Sequence, residues 1–219
     1  GGAALMKGGI AAIIISGYTK VLLFIFLAPI IGMVMASFFS VATLWIVKDM
    51  APRKVDKYFR KLQLVSAAVY SLSHGANAAQ KTIGIITIVL FTNKLLGDTF
   101  FVPYWVIILS HTVIALGTLF GGWKVIKTLG MRVTKLSPFG GFSAETAAGL
   151  TIIGATLGGI PVSTTHTITG SIIGVGSVKG FSAVRWGVAK NILWAWILTI
   201  PLSALFAMLT YWIATGIFG

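Results

Sequence analysis

No cysteine occurs among the 219 residues, which excludes disulfide frameworks, thiol nucleophiles and thiolate metal sites. Acidic side chains are almost as scarce: Asp49, Asp56, Asp98 and Glu145 stand against seventeen Lys and Arg. A soluble domain of this size carries far more charge on its surface. A nucleophile with a base and an orienting acid is not visible either, so no catalytic residues and no enzyme are expected. What the chain does have is apolar surface, with 57% hydrophobic residues. A net charge of +13 in a soluble protein would point to nucleic acid. Here the cations fall in short gaps between apolar runs, as cytoplasmic loops facing anionic lipid do, so the expected partner is a bilayer and not nucleic acid. The sequence starts at Gly1 and shows no cleavable signal pattern before its first long apolar run, and it reads as a fragment.

A helix needs about 20 apolar residues to cross the hydrocarbon core. Four segments reach that length, at 21–47, 62–91, 102–123 and 186–218. Residues 1–20 read as an interfacial segment or the end of a preceding span, and 21–219 as the transmembrane domain. The stretch 142–178 differs, because two apolar arms flank Gly158-Gly159-Ile160-Pro161. Each arm, taken as about 15 residues, rises only about 22 Å as a helix, short of the bilayer core. This predicts a re-entrant helical hairpin, whose non-helical tip is tolerated at membrane depth only where protein or a wet cavity surrounds it. Gly154 and Gly158 in one arm, and Gly170 and Gly174 in the other, have the spacing that lets helix backbones approach closely. Re-entry also puts Lys179, Arg185 and Lys190 on the same side as the basic loops 48–61 and 124–135, in keeping with the positive-inside rule. The expected fold is thus an all-α integral membrane protein with about four transmembrane helices plus the hairpin.

Two polar patches interrupt these apolar segments. Ser73-His74-Gly75-Ala76-Asn77-Ala78-Ala79-Gln80-Lys81-Thr82 lies inside the second span, where polar groups are costly and mark function, and a broken helix is expected around 73–82. Pro161-Val162-Ser163-Thr164-Thr165-His166-Thr167 opens the second hairpin arm. A helix amino terminus there presents unpaired N–H groups and a positive dipole end, and four hydroxyl residues in five positions exceed what capping needs. Such a site suits a tetrahedral anion, with Ser163, Thr164 and Thr165 as donors. Asn77 and Gln80 bring amide oxygens for a cation and amide hydrogens for an anion, and Lys81 can neutralise substrate charge. His74 and His166 are expected to hydrogen-bond across the break, and His111 has no motif around it.

The first patch, Gly141-Phe142-Ser143-Ala144-Glu145, and Pro161-Val162-Ser163-Thr164-Thr165-His166 together resemble the inorganic phosphate transporter (Pit) family, in the order and spacing of its second half and over nearly the whole chain. The resemblance implies one half of an inverted-repeat, alternating-access carrier that moves phosphate with sodium ions or protons, with no covalent cofactor. It implies that a complementary amino-terminal half or a second copy completes the site. It also associates Glu145 with transport. The coupling ion is expected at Asn77, Glu145 and Thr164, with a sodium site at Asn77 and Glu145. One departure bears on this: the family's motif has Asp after the Asn, where this chain has Ala78, and a methyl cannot ligate a cation. A passive anion channel and a non-transporting half-subunit are the alternatives.

Overall fold

The computed structural model describes residues 2–9, 11 and 14–218. Positions 1, 10, 12 and 13 of the expected amino-terminal segment, and position 219, lie outside the described residues. Every regular element among them is helical: α1 (Gly2–Gly8), α2 (Ile15–Val47), α3 (Pro52–Thr92), α4 (Tyr104–Lys127), α5 (Pro138–Leu157), α6 (Thr164–Lys179) and α7 (Trp186–Phe218). A π-helical turn at Thr128–Val133 follows α4, and a 3-10 turn at Phe181–Ala183 follows α6. The chain forms two compact units, one from its two ends, through Leu23 and from Arg185 onward, the other from Phe24–Val184. In the first, α1 packs on α7, with Gly2 against the Ala204 backbone.

Among the described residues three helices, over Ile15–Val47, Tyr104–Trp123 and Trp186–Ile217, are long and apolar enough to cross a membrane. They make this a multi-pass membrane protein. The expected second span is not among the three, because the polar residues 73–82 dilute its hydropathy. α2 begins at Ile15, ahead of the expected start at 21, and takes in Thr19 and Lys20.

α3 is continuous from Pro52 to Thr92, which corrects the broken helix expected around 73–82. Gly75 costs about 1 kcal/mol in a helix, whereas a break in apolar surroundings leaves backbone groups unpaired at several kcal/mol each. Its neighbours Ala76, Ala78, Ala79, Gln80 and Lys81 are strong helix formers. The helix therefore survives the polar patch.

The second unit is built around α3 and the hairpin α5–α6. α5 starts at Pro138, earlier than the expected 142, and its N-cap Ser137 accepts from Gly140 N. With 20 residues it is about 30 Å long, so it is not too short for the bilayer core; only α6, with 16 residues and about 24 Å, is. The tip is a genuine break. Gly159 sits at φ 65°, its N–H donates to Thr156 O at 3.1 Å, and Ile160 N donates to Ala155 O at 2.9 Å. These are the two bonds of a Schellman end, and Pro161 then prevents the helix from continuing. α6 returns to the end where α5 began: Lys179 Nζ donates to Lys135 O at 3.5 Å, and Thr134 Oγ1 donates to Ala183 O at 3.0 Å.

α3 and α5 run parallel and touch from Phe59, edge-on to Phe139 and Phe142 at 5.2 and 5.3 Å, to Asn77 beside Thr156. α2 and α6 also run parallel, backbone against backbone. A Cβ at Gly170 would collide with the Pro29 carbonyl, one at Gly174 with that of Met33, and one at Gly32 with that of Thr167. Ser171 Oγ donates to Gly32 O at 3.1 Å and Ser37 Oγ to Gly174 O at 3.3 Å. The close-packing glycines are thus those of α6. Gly154 faces open space and Gly158 meets mainly its own arm, contrary to expectation.

Gly170→Val and Gly174→Val should each lower the thermal unfolding midpoint in detergent, since overpacking costs roughly 1–3 kcal/mol. Gly154→Ala should not lower it. Equal midpoints for all three variants and the parent would show that α2 and α6 do not meet in this way.

Candidate functional site

On α3, Phe59, Gln63, Ser66, Tyr70, Ser73 and Asn77 recur at alternating steps of four and three residues, which places them on one helical face. That face meets α5. At one end of it Ser66 Oγ donates to Glu145 Oε2 at 2.6 Å and Gln63 Nε2 donates to Glu145 Oε1 at 3.5 Å. Midway, Gly149 lets the Tyr70 backbone and Ser73 Oγ approach to 3.7 Å of where a Cβ would stand. At the other end Asn77 Nδ2 donates to Thr156 Oγ1 at 3.1 Å.

The tip of the hairpin is reached by Lys81, one turn beyond Asn77. Its ammonium donates to Val162 O at 2.9 Å and to Asn77 Oδ1 at 3.3 Å. Lys can only donate, so the Asn77 oxygen faces Lys81 and its amide nitrogen faces Thr156. One residue past Val162, Ser163 caps α6, its Oγ accepting from His166 N at 3.4 Å. Thr164 is buried and Thr165 exposed on the first turn. Asn77 is buried, while Ala78 is only half-buried beside it.

The structure therefore gathers Asn77, Lys81 and Ser163, with Thr164 and Thr165 following, at one place where a cation, a helix amino terminus and hydroxyls converge. Gln80 is exposed on α3 and is not among the side chains these bonds bring together. Glu145 lies elsewhere. Ser66 and Asn77 are eleven residues apart on one unbroken helix, a separation of about 16 Å. The expected sodium site shared by Asn77 and Glu145 is not formed, because its two ligands engage opposite ends of the α3–α5 contact. Among the described residues no group of three or more His, Cys, Asp and Glu could hold a metal ion.

His166 does not bridge a break in α3. Pro29 has no N–H, which leaves the Ile25 carbonyl without its intrahelical donor. The His166 side chain hydrogen-bonds the Ile25 backbone instead. His74 stands 6.2 Å from the Tyr70 ring. Thr156, Ser66 and Gln63 were not singled out from the sequence. The four-three spacing on α3 carries the signal for two of them, but Thr156 has no local pattern and is recognised only from its neighbour across the helix contact.

Residues 1–207 match the phosphate transporter family. A probable low-affinity inorganic phosphate transporter of Rhizobium meliloti (strain 1021) is 50% identical over 213 residues, covering 97% of this chain and 64% of that protein. One of the same description from Bacillus subtilis (strain 168) is 41% identical over 217 residues, covering 99% and 65%. A solved structure described as the sodium-dependent phosphate transporter matches with a TM-score of 0.79 at 22% identity, covering 97% of this chain and 70% of the other, and shares the fold. The chain spans just under two thirds of the length of these two relatives. By its sequence match over residues 1–207, the chain belongs to the phosphate transporter family.

Proposed function

We propose that this chain is the site-bearing part of a carrier that moves inorganic phosphate together with a sodium ion or a proton by alternating access. The observation that carries the reading is the Lys81 ammonium, held at 2.9 Å from the Val162 carbonyl next to the capped start of α6. Phosphate entering there exchanges two neutral acceptors of Lys81 for an anionic one and meets the first-turn amides and the hydroxyls of Ser163, Thr164 and Thr165. Asn77 orients Lys81, and Thr156 orients Asn77. Relatives named as phosphate transporters support phosphate as the anion.

The coupling cation has one candidate place in this reading. Glu145 and Ser66 bring carboxylate and hydroxyl oxygens together, hard donors suited to sodium, with the Gln63 amide nitrogen steadying the carboxylate, and the carboxylate alone can take a proton. Ala78 supplies no ligand of its own, and Asp there, as in the family's motif, would add a second place. A complementary amino-terminal part or a second copy completes the enclosure around the tip. A carrier gives saturable uptake, which separates it from a passive anion channel.

Charge-assisted hydrogen bonds are worth about 1.5–3 kcal/mol, so Lys81→Met should weaken phosphate binding about tenfold to a hundredfold. Replacing Ser163, Thr164 and Thr165 together by Ala should exceed the loss of about 1 kcal/mol expected from uncapping alone. Phosphate titration of folded, monodisperse variants checks both, and parental affinity in either would remove the tip as the substrate site.

Ala78→Asp should strengthen the dependence of phosphate uptake on a sodium or pH gradient, measured with the complete assembly in liposomes. If parent and variant respond alike to the gradient, position 78 plays no part in coupling.

A further inference from the structure

At the end of the second unit opposite the hairpin tip, the corner between α2 and α3 meets the start of α5 around a cavity of ≈ 360 Å³. Leu44, Val47, Val55 and Phe139 give it apolar walls, and Lys48, Asp56 and Ser137 stand among its lining. The cavity takes no part in the α3–α5 polar contacts or the hairpin tip. Lys48 is the cation in its lining, and the segment that supplies the lining is strongly cationic: Lys48, Arg53, Lys54, Lys57, Arg60 and Lys61 lie within fourteen residues, against Asp49 and Asp56. The one carboxylate in the lining is already engaged, since Asp56 Oδ2 accepts from Arg60 Nε at 2.9 Å.

Three features give this cavity a polarity. α3 starts at its edge with Ala51 at the cap position and no side-chain cap; Pro52 has no N–H and Lys54 N donates to Ala51 O at 2.9 Å, so the Arg53 amide is the first-turn donor left for an outside acceptor. α5 starts there as well, just after Ser137. Lys48, exposed at the rim, has its ammonium 5.7 Å from the centre of the Trp45 ring, and Trp45 is 70% exposed on the outer surface of α2. A Trp at the end of an apolar helix marks the headgroup level of a bilayer. The cavity is therefore apolar toward the hydrocarbon and positive at the headgroup plane.

We propose that this corner is a binding site for an anionic phospholipid, with the headgroup phosphate beside Lys48 and the uncapped start of α3, and the upper acyl chain against Leu44, Val47, Val55 and Phe139. The charge of residues 48–61, the α2–α3 corner and the first turns of α3, matches a phosphodiester, and the apolar wall matches the chain that a free phosphate lacks. A zwitterionic lipid would satisfy the wall but bring its own cation into a region already rich in them. The site would fasten the α2–α3 corner and the root of the hairpin to the membrane surface, and it stands independently of which anion the carrier moves.

Native mass spectrometry of the full chain, extracted and then exposed to an equimolar mixture of phosphatidylglycerol and phosphatidylcholine, tests this. Phosphatidylglycerol should be retained selectively. Lys48→Gln, a change at an exposed position, should reduce that retention about fivefold. Val55→Trp, which fills the cavity, should reduce it as well, while Lys94→Gln, far along the chain in the α3–α4 turn, should leave it unchanged. Equal retention of the two lipids, or retention unaffected by Lys48→Gln, overturns the proposal. Displacement of the lipid by inorganic phosphate alone would also overturn it, by showing a free-anion site in place of a lipid site.

Discussion

Lys81, though exposed as a residue, turns its ammonium onto the hairpin tip, and that pairing organises what surrounds it. Its bonds to Val162 O and Asn77 Oδ1 tie the centre of α3 to the break between α5 and α6. The tip, in turn, can exist at that depth only because its backbone groups have partners: the Schellman bonds on the α5 side, Lys81 at Val162, and Ser163 on the α6 side. A cation that needs acceptors and a broken backbone that needs donors satisfy each other. The same arrangement leaves an exposed helix start beside a positive charge, which is what an anion requires.

Close backbone approach provides the frame for this exchange. Gly170 and Gly174 bring α6 against the carbonyls of α2, and the hydroxyls of Ser37 and Ser171 cross the contact to them. Pro29 in α2 frees the Ile25 carbonyl, and His166 in α6 engages it. On the other side, α5 is held along its length by the polar face of α3. The hairpin thus sits between a backbone-to-backbone contact and a side-chain contact, with its tip held between α2 and α3.

Much of this was legible in the sequence where chemistry is local. Gly-Gly-Ile-Pro marks the hairpin break because a positive φ and a missing N–H act at the residues themselves. Asn77, Lys81 and Ser163 stood out because polar groups are rare in apolar runs. What failed was the inference from the polar patch to a broken helix at 73–82, because polar side chains and one glycine, Gly75, cost little beside unpaired backbone in an apolar setting. The pairing of Asn77 and Glu145 failed for a different reason. Both are polar and carry a functional association, but only the parallel register of α3 and α5 reveals that they face opposite ends of the contact. Thr156 is invisible until Asn77 is placed beside it. The stripe from Phe59 to Asn77 was readable by its four-three spacing, and it would have supplied Gln63 and Ser66.

The central claim is that phosphate binds at the start of α6, beside Lys81. Thr165 is exposed on that first turn, so a cysteine there, in a chain that has none of its own, reports directly on occupancy. The rate at which Thr165→Cys reacts with a small thiol reagent should fall as phosphate is added and saturate with it, while a cysteine at exposed Lys94 should react at one rate throughout. A Thr165→Cys rate indifferent to phosphate, in a variant that still takes up phosphate, would place the substrate elsewhere.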